Sequence, residues 1–440
     1  MQHSGSLCIN TLSYCIGILH FIMRLLLLLS AFVAGVFAVD TFVGQQVLRI
    51  RASNDDQIYQ LQALESLTHL ELDFWTEPAK VDIPVDVRVP FHSLQSVKSY
   101  LESQNIEYSI MIDDLQAVLD AEKQEMELNQ IKERNSGTFN YATYHTLDNL
   151  YKGLDAIVLD FKSLVTKQQI GTSHEGRPVY VLKFSTGASR PAIWLDAGIH
   201  SREWVTQASA LWIGYKLATD YGKDASITSL LNKFDVFLLV VTNPDGYVYS
   251  HSTNRMWRKT RAPNSGSSCV GVDPNRNWNA GFGGPGTSAD PCSDSYHGPS
   301  PESAVEVKNI ANFVRQHGKF KGFVSIHSYS QLLLFPYGYK CTNPAHFTEL
   351  NTVGKAAATA LSSLYGTQYK VGTICSTIYQ ASGGSIDWTY DIGIKYSFAF
   401  ELRDTGRYGF ILPATQILPT AQETYLGVKK ILEHVRDNPY

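Results

Sequence analysis

Four residues of this chain could perform chemistry together. His200 and Glu203 lie three positions apart in the run HSRE, His327 follows 124 residues after Glu203, and Glu401 comes later still. Two imidazole nitrogens and one carboxylate form a donor set that holds zinc and leaves a fourth tetrahedral position open, the arrangement of a catalytic zinc site. A carboxylate beside such a centre, as Glu401 would be, can carry protons. Asp273 is a candidate to orient one histidine through its second ring nitrogen. A bare H-x-x-E is common by chance, and any one of the 13 histidines more often opens a surface loop than binds a metal. The set has meaning only if a scaffold brings positions 200, 203, 327 and 401 together.

The elements that could do so are legible as apolar runs. AIWLDAGIH (192–200), DVFLLVVTN (235–243), GFVSIHSY (322–329) and YSFAFEL (396–402) read as strands. WVTQASALWIGYKLATDYG (204–222) and SAVEVKNIANFVRQHG (303–318) have helical spacing. Near-continuous apolar strands between helices argue for an α/β sheet covered on both faces. In such open sheets the ligand crevice lies outside the carboxyl ends of the strands. His200, His327 and Glu401 each stand at the end of an apolar strand, so one crevice can collect them.

A different unit precedes this one. Residues 39–134 carry 18 acidic and 8 basic side chains, a net of −10, whereas residues 135–440 carry 23 and 28, a net of +5. Opposite charges favour docking of the first piece on the second, screened by salt. QQVLRIR (45–51), LELDF (70–74), VDVRVP (85–90) and YSIMI (108–112) read as strands. A helix capped within Ser53-Asn54-Asp55-Asp56 runs to about Ser66, and Leu94, Val97 and Leu101 mark a second. The order β-α-β-β-α-β predicts a small α+β open sandwich. Residues 113–134 are charged and helix-prone, ending in Lys132-Glu133-Arg134 before Asn135-Ser136-Gly137. That is an exposed basic site beside a breaker, suited to nicking, with an ordinary interdomain linker as the alternative.

The chain has 440 residues, 44% hydrophobic and 12% aromatic, with 17 Pro and 32 Gly, which excludes a mostly disordered or collagen-like polymer. Its net charge of −4 excludes a globally basic nucleic-acid binder. Met23-Arg24 followed by LLLLLSAFVAGVFA, ending at Ala38, predicts a secretory signal over 23–38. Residues 1–22 then read as an upstream extension, with Met23 as the natural start; the alternative is a longer signal that includes Ile16 to Met23, with the same destination. The apolar run is too short for a membrane anchor, which needs about 20 residues. Cys8 and Cys15 fall before the cut. The remaining four, Cys269, Cys292, Cys341 and Cys375, suggest two bridges with three possible pairings. The lack of a C-x-x-C pair argues against a cysteine-based zinc site.

Six motifs, GIHSREW, MWRKTR, DPNRNW, SIHSYSQ, TIYQASGGSIDW and FELRDTGRYGF, stand in that order. In them the chain resembles the zinc carboxypeptidases of the pancreatic A/B family, over essentially residues 40–440. The resemblance implies a mixed, mostly parallel eight-stranded sheet with helices on both faces over 135–440. It implies that residues 39–134 are an activation propeptide with a connecting helix, which covers the mouth of a cleft whose zinc site is already formed. His200, Glu203 and His327 match the ligands of one zinc ion. Glu401 matches the general base and Arg258 the cation that stabilises the oxyanion. Asn275 and Arg276 match the pair that grips a terminal carboxylate, and Tyr379 the phenol that closes over the peptide end. Arg202, Ser328, Tyr329 and Phe410 match residues of the outer subsites. Taken alone, Arg258, Asn275 and Arg276 read as a solvated basic loop. A guanidinium binds a carboxylate through two parallel N–H bonds. At a dead end, Arg276 would select chain termini and exclude interior peptide bonds.

The resemblance also bears on specificity. In this family an acid at the position of Ile386 accompanies basic C-terminal residues, and an aliphatic residue accompanies apolar ones. Leu334, Gly338, Ile374, Ile378, Ala381 and Ala399 match the remaining pocket wall. Ala399 departs from the commonest A form, which carries Thr there, and the smaller side chain widens the floor. The resemblance pairs Cys269 with Cys292 and Cys341 with Cys375, the latter a mark of the form that prefers bulky aromatic ends. The expected protein is a secreted monomeric zymogen, opened near Arg134 by a trypsin-like protease and then acting on peptide C-termini in digestion or another extracellular trimming role. It needs neither nucleic acid nor a membrane. A B-type, Lys/Arg-directed enzyme is disfavoured by Ile386. A catalytically silent peptide-binding relative is disfavoured by the presence of Glu401, Arg258 and Arg276. A serine or cysteine hydrolase is disfavoured by the lack of G-x-S-x-G and by paired cysteines.

Overall fold

A computed structural model describes residues 39–81, 83–187 and 190–440. The expected extension (1–22), the signal (23–38), Cys8 and Cys15 lie outside the described residues. The front unit runs β1 (Gln46–Arg51), α1 (Asp55–Glu65), β2 (Asp73–Phe74), β3 (Val85–Val89), α2 (Leu94–Ser103) and β4 (Glu107–Ile112). Its antiparallel sheet has the order β2-β3-β1-β4. Asn54 caps α1 by accepting the Gln57 N–H, and Asp55 and Asp56 complement the helix dipole. Alternation along β1 places Leu48 and Ile50 against Ile58 and Leu61 of α1 and Val97 and Leu101 of α2. Val47 faces the other way, into a cluster shared with Tyr329 and Phe410. The strand expected over 70–74 shrinks to two residues. Thr68–Leu70 forms a 3-10 turn and Glu71 adopts a left-handed conformation with φ of 50°, which breaks the alternation.

A connecting helix, α3 (Leu115–Ser136), follows, capped by Asp114 at its start and by Gly137 at its end. The expected nick site sits in its last turn, with Arg134 exposed.

The second unit comprises α4 (Leu147–Asp160), β5 (Val165–Thr172), β6 (Pro178–Phe184), β7 (Ala192–Ala197), α5 (Trp204–Asp220), α6 (Ala225–Lys233), β8 (Asp235–Leu239), α7 (Pro244–Ser252), α8 (Val305–His317), β9 (Phe320–Ser328), β10 (Leu332–Phe335), α9 (Phe347–Tyr365), β11 (Lys370–Thr373), α10 (Ile374–Thr377), α11 (Ser385–Asp391), β12 (Tyr396–Leu402) and α12 (Ile417–Asp437). The eight strands form one mixed sheet, ordered β11-β10-β12-β9-β7-β8-β6-β5. Both faces are covered. Ile193, Leu195 and Ala197 of β7 enter a core with α4, α5, α6, α9 and α12, whereas Ala192 and Trp194 enter a second core with α8 and α11. This two-sided burial is why the central strands are apolar at nearly every position. The bridges join Cys269 to Cys292 and Cys341 to Cys375, with Cα–Cα separations of 5.1 and 5.3 Å. Among the described residues, no helix is long and apolar enough to cross a membrane.

Candidate active site

The central strands β12, β9 and β7 are adjacent and parallel, so their carboxyl ends open on one side. In that register Glu401 lies directly beside His327. Beyond β7 the chain turns at Gly198, whose φ is 67° and where a Cβ would meet Gln207 Nε2 at 2.7 Å. The turn delivers His200 to the strand end, and Glu203 stands at the N-cap of α5. The Glu203 carboxylate makes no capping bond and turns to the histidines instead.

His200, Glu203 and His327 are each no more than 3% exposed. His200 Nδ1 is 2.7 Å from Glu203 Oε1. His327 Nδ1 is 3.5 Å from Glu203 Oε2 and 3.3 Å from His200 Nδ1. Two ring nitrogens facing each other at that distance cannot both present lone pairs without positive charge between them. His200 Nε2 donates to Asp273 Oδ1 at 3.1 Å, which turns the Nδ1 lone pair inward. Burial alone would raise the Glu203 carboxyl, and positive charge at His200 and His327 holds it well below the ordinary range. Three buried donors of this kind fit a zinc ion.

Glu401 lines the same cavity. Burial pushes its carboxyl up to about 8, and a cation in the adjacent site would draw it down again. Arg258 donates to Asp273 Oδ2 from Nη2 at 2.8 Å and from Nε at 3.2 Å. Burial opposes its charge, but Asp273 and Glu203 hold the guanidinium above its usual value. Asp273 therefore ties His200 and Arg258 into one rigid group.

Arg276 lines the same cavity. Its Nε donates to Gly286 O at 2.8 Å, and its Nη2 donates to the Tyr379 hydroxyl at 3.0 Å. Gly383 permits this placement, since a Cβ there would lie 2.1 Å from the Arg276 carbonyl oxygen. Asn275 Oδ1 accepts the Ser385 N–H at 3.0 Å, tying the arginine loop to α11. The same cavity has an apolar lining of Leu334, Ile374, Ile378, Ala381, Ile386 and Ala399. Gly338, expected in that wall, is packed against two of its members, since a Cβ there would meet Ala381 O at 2.7 Å and Ile374 Cγ2 at 3.1 Å. Of the 19 residues expected to bind metal, catalyse, bind substrate or wall its pocket, all but Gly338 line this one cavity.

Residues 150–427 match a family model described as zinc carboxypeptidase, and residues 48–122 one described as carboxypeptidase activation peptide. The chain belongs to the zinc carboxypeptidases. It is 64% identical to Carboxypeptidase A2 of Rattus norvegicus over 418 residues, 95% of this chain and 100% of that protein. It is 59% identical to Carboxypeptidase A1 of Sus scrofa over 416 residues, 94% and 99% of the two chains. The crystal structure of thrombin activatable fibrinolysis inhibitor (TAFI) matches with a TM-score of 0.83 at 35% identity, covering 90% of this chain and 100% of that one. This zinc carboxypeptidase is thus an enzyme with its own activation segment, and the family's metal agrees with the His200–Glu203–His327 cluster.

The activation segment of the carboxypeptidase occupies the outer cleft. Phe74, Trp75, Thr76, Glu77 and Ile83 line the cavity together with the enzyme residues. Arg202 Nη1 donates to Asp73 at 2.9 Å, the Tyr329 hydroxyl donates to Asp86 at 2.6 Å, and the Trp75 and Phe410 ring centroids lie 5.1 Å apart. Three of the four expected outer-subsite residues are therefore engaged by the cap. Sequence reasoning pointed to a cap over the cleft mouth and to a charge imbalance behind it, but not to the individual contacts. It missed Arg255, which donates to Glu122 of α3 at 2.7 and 3.1 Å, and Lys80, whose Nζ donates to the Cys375 and Ser376 carbonyls at 2.9 Å each. It also missed Asp387, next to Ile386. Asp387 accepts the Gly338 and Tyr339 N–H groups, and burial pushes it up to about 7. An acid between the bulky apolar residues Ile386 and Trp388 was the available signal.

Proposed function

We propose that the chain is secreted after loss of residues 23–38, circulates as a monomeric zymogen, and is opened by a trypsin-like cut after Arg134. The released enzyme, residues 135–440 with one zinc ion per chain, removes aromatic or large aliphatic residues from peptide C-termini. One observation carries this reading: the cavity that holds the Arg276 guanidinium is also lined by apolar side chains, Ile386 and Ala399 among them. The names of the A-type relatives support the same preference.

Arg276 and Asn275 hold the substrate's terminal carboxylate, which displaces the Tyr379 hydroxyl from the guanidinium so that the phenol can close over the chain end. The last side chain fills the pocket. The scissile carbonyl then faces Arg258, whose charge is fixed in advance by Asp273 and stabilises negative charge developing on oxygen. Zinc held by His200, Glu203 and His327 would supply Lewis acidity and water acidic enough to attack near neutral pH. Glu401 takes the water's proton and passes it to the departing amine.

Peptides differing only in their last residue test the proposal, before and after trypsin. The uncut chain is expected to be nearly silent on large substrates. The cut chain releases Phe, Trp, Tyr or Leu, and a chelator stops it. A Lys ammonium entering this pocket without a partner costs several kcal/mol, so Lys and Arg ends are expected at least about 100-fold slower. Fast release of Lys or Arg overturns the pocket assignment.

The cap is held both by apolar packing and by charge. Asp73→Asn and Glu122→Gln each remove an acid from a buried enzyme arginine. Truncating such a pair costs about 2–5 kcal/mol, so each is expected to weaken binding of isolated 39–134 to the mature enzyme by about 30-fold or more. Titration at low and high salt is the companion measurement. Affinity that is insensitive to both substitutions and to salt rules out an electrostatic share.

A further inference from the structure

We propose that Asp196, acting through the Ser325 hydroxyl, is a positioning residue for the metal ligand His327. Asp196 of β7 and Ser325 of β9 are cross-strand neighbours, and Ser325 and His327 share a face of β9 because strand side chains alternate. His327 Nε2 lies 3.2 Å from Ser325 Oγ. Ser325 Oγ donates to Asp196 Oδ1 at 2.6 Å, and Trp194 Nε1 donates to Asp196 Oδ2 at 2.7 Å. The carboxylate accepts on both oxygens, so the serine proton is committed to it. Only a lone pair of Oγ is then left to face the imidazole. His327 must answer by donating from Nε2, which leaves Nδ1 as the bare nitrogen facing His200 and Glu203.

All four groups are buried: Trp194 and Ser325 are 0% exposed, Asp196 2% and His327 3%. A carboxylate and a hydroxyl in the middle of an apolar sheet are costly unless fully paired, and here the donations run one way, from the His327 imidazole through Ser325 to Asp196. The two ligand histidines are thus held differently. Asp273 takes the His200 Nε2–H directly, whereas Asp196 reaches His327 through a hydroxyl relay. The relay makes the orientation of His327 depend on a strand that carries no ligand within its own span.

The inference rests on reading His327 as a zinc ligand, and the test keeps the two apart. Zinc affinity is measured by chelator competition on the full zymogen chain for Ser325→Ala, Asp196→Asn, the double variant, Ser325→Thr and His327→Ala. Ser325→Ala and Asp196→Asn are each expected to bind zinc about 10–100-fold more weakly. The double variant is expected to lose no more than the worse single one, because one relay is broken in each case. Ser325→Thr keeps the hydroxyl and restores affinity. In the Co2+-loaded chain, the visible absorption band is expected to move in Ser325→Ala and return in Ser325→Thr, a readout that general loosening of the sheet would not move. If Asp196→Asn does not fold, the two Ser325 variants decide alone. Zinc affinity of Ser325→Ala within twofold of the parent, an unmoved cobalt band, or losses that multiply in the double variant overturn the relay. Tight zinc binding by His327→Ala overturns the ligand reading itself, and the relay with it.

Discussion

Glu401→Gln is expected to bind zinc as tightly as the parent and, after activation, to turn over C-terminal peptide bonds at least about 10²-fold more slowly. The substitution preserves shape and removes only the ability to take a proton. General acid–base groups contribute about 10²–10⁴-fold, and Glu401 is asked to act twice, as base toward water and as acid toward the leaving amine. Its environment suits both tasks. It sits at the strand end next to His327, and burial favours its protonated form while Arg258 and Arg276 oppose that shift. Zinc content and kcat/KM on one peptide decide the matter. A variant that loses its metal would show that Glu401 is a ligand, and one that keeps its rate would place the base elsewhere.

Ile386→Asp is expected to turn specificity from apolar to basic ends, changing the ratio of kcat/KM for Phe-ended and Arg-ended peptides by about 10³-fold or more. Ile386 is 2% exposed and faces a pocket whose other walls are apolar. A carboxylate in that surrounding has no cation until a basic substrate enters, and an unpaired buried charge costs several kcal/mol. An Arg side chain relieves that cost and a Phe side chain does not. About 4 kcal/mol corresponds to the stated ratio. Paired peptides assayed on both enzymes give the answer, and an unchanged ratio removes Ile386 from the specificity pocket.

The site was more legible in the sequence than the fold around it. His200, His327 and Glu401 could be read because each closes a strand buried on both faces, and such strands announce themselves as unbroken apolar runs. Four strands escaped. β5, VTKQQIGT, is a sheet edge with half-exposed polar positions, and β11, KVGT, is the opposite edge and only four residues long. β10 is four residues inside a longer apolar stretch, and β6 carries Pro at its start and Lys near its end, which blunt the pattern. Helices α9 and α12, which pack against each other, were not singled out from the sequence at all. The grip of the cap was illegible for another reason. Asp73, Asp86 and Glu122 are ordinary acids in sequence, and only the docked surface shows that they meet Arg202, Tyr329 and Arg255. Ser325 and Asp196 did leave a trace, as isolated polar residues inside the runs GFVSIHSY and AIWLDAGIH.

The central claim is that the cleft admits only the tail of a polypeptide, because Arg276 must meet a free carboxylate at its closed end. One peptide ending in Phe, prepared as the free acid and as the amide and given to the trypsin-treated chain, tests this most directly. Rapid release of Phe from the acid is expected, with hydrolysis of the amide slower by about 100-fold or more, since the amide forfeits two charge-assisted hydrogen bonds of roughly 1.5–3 kcal/mol each. Equal rates on the two peptides would contradict it.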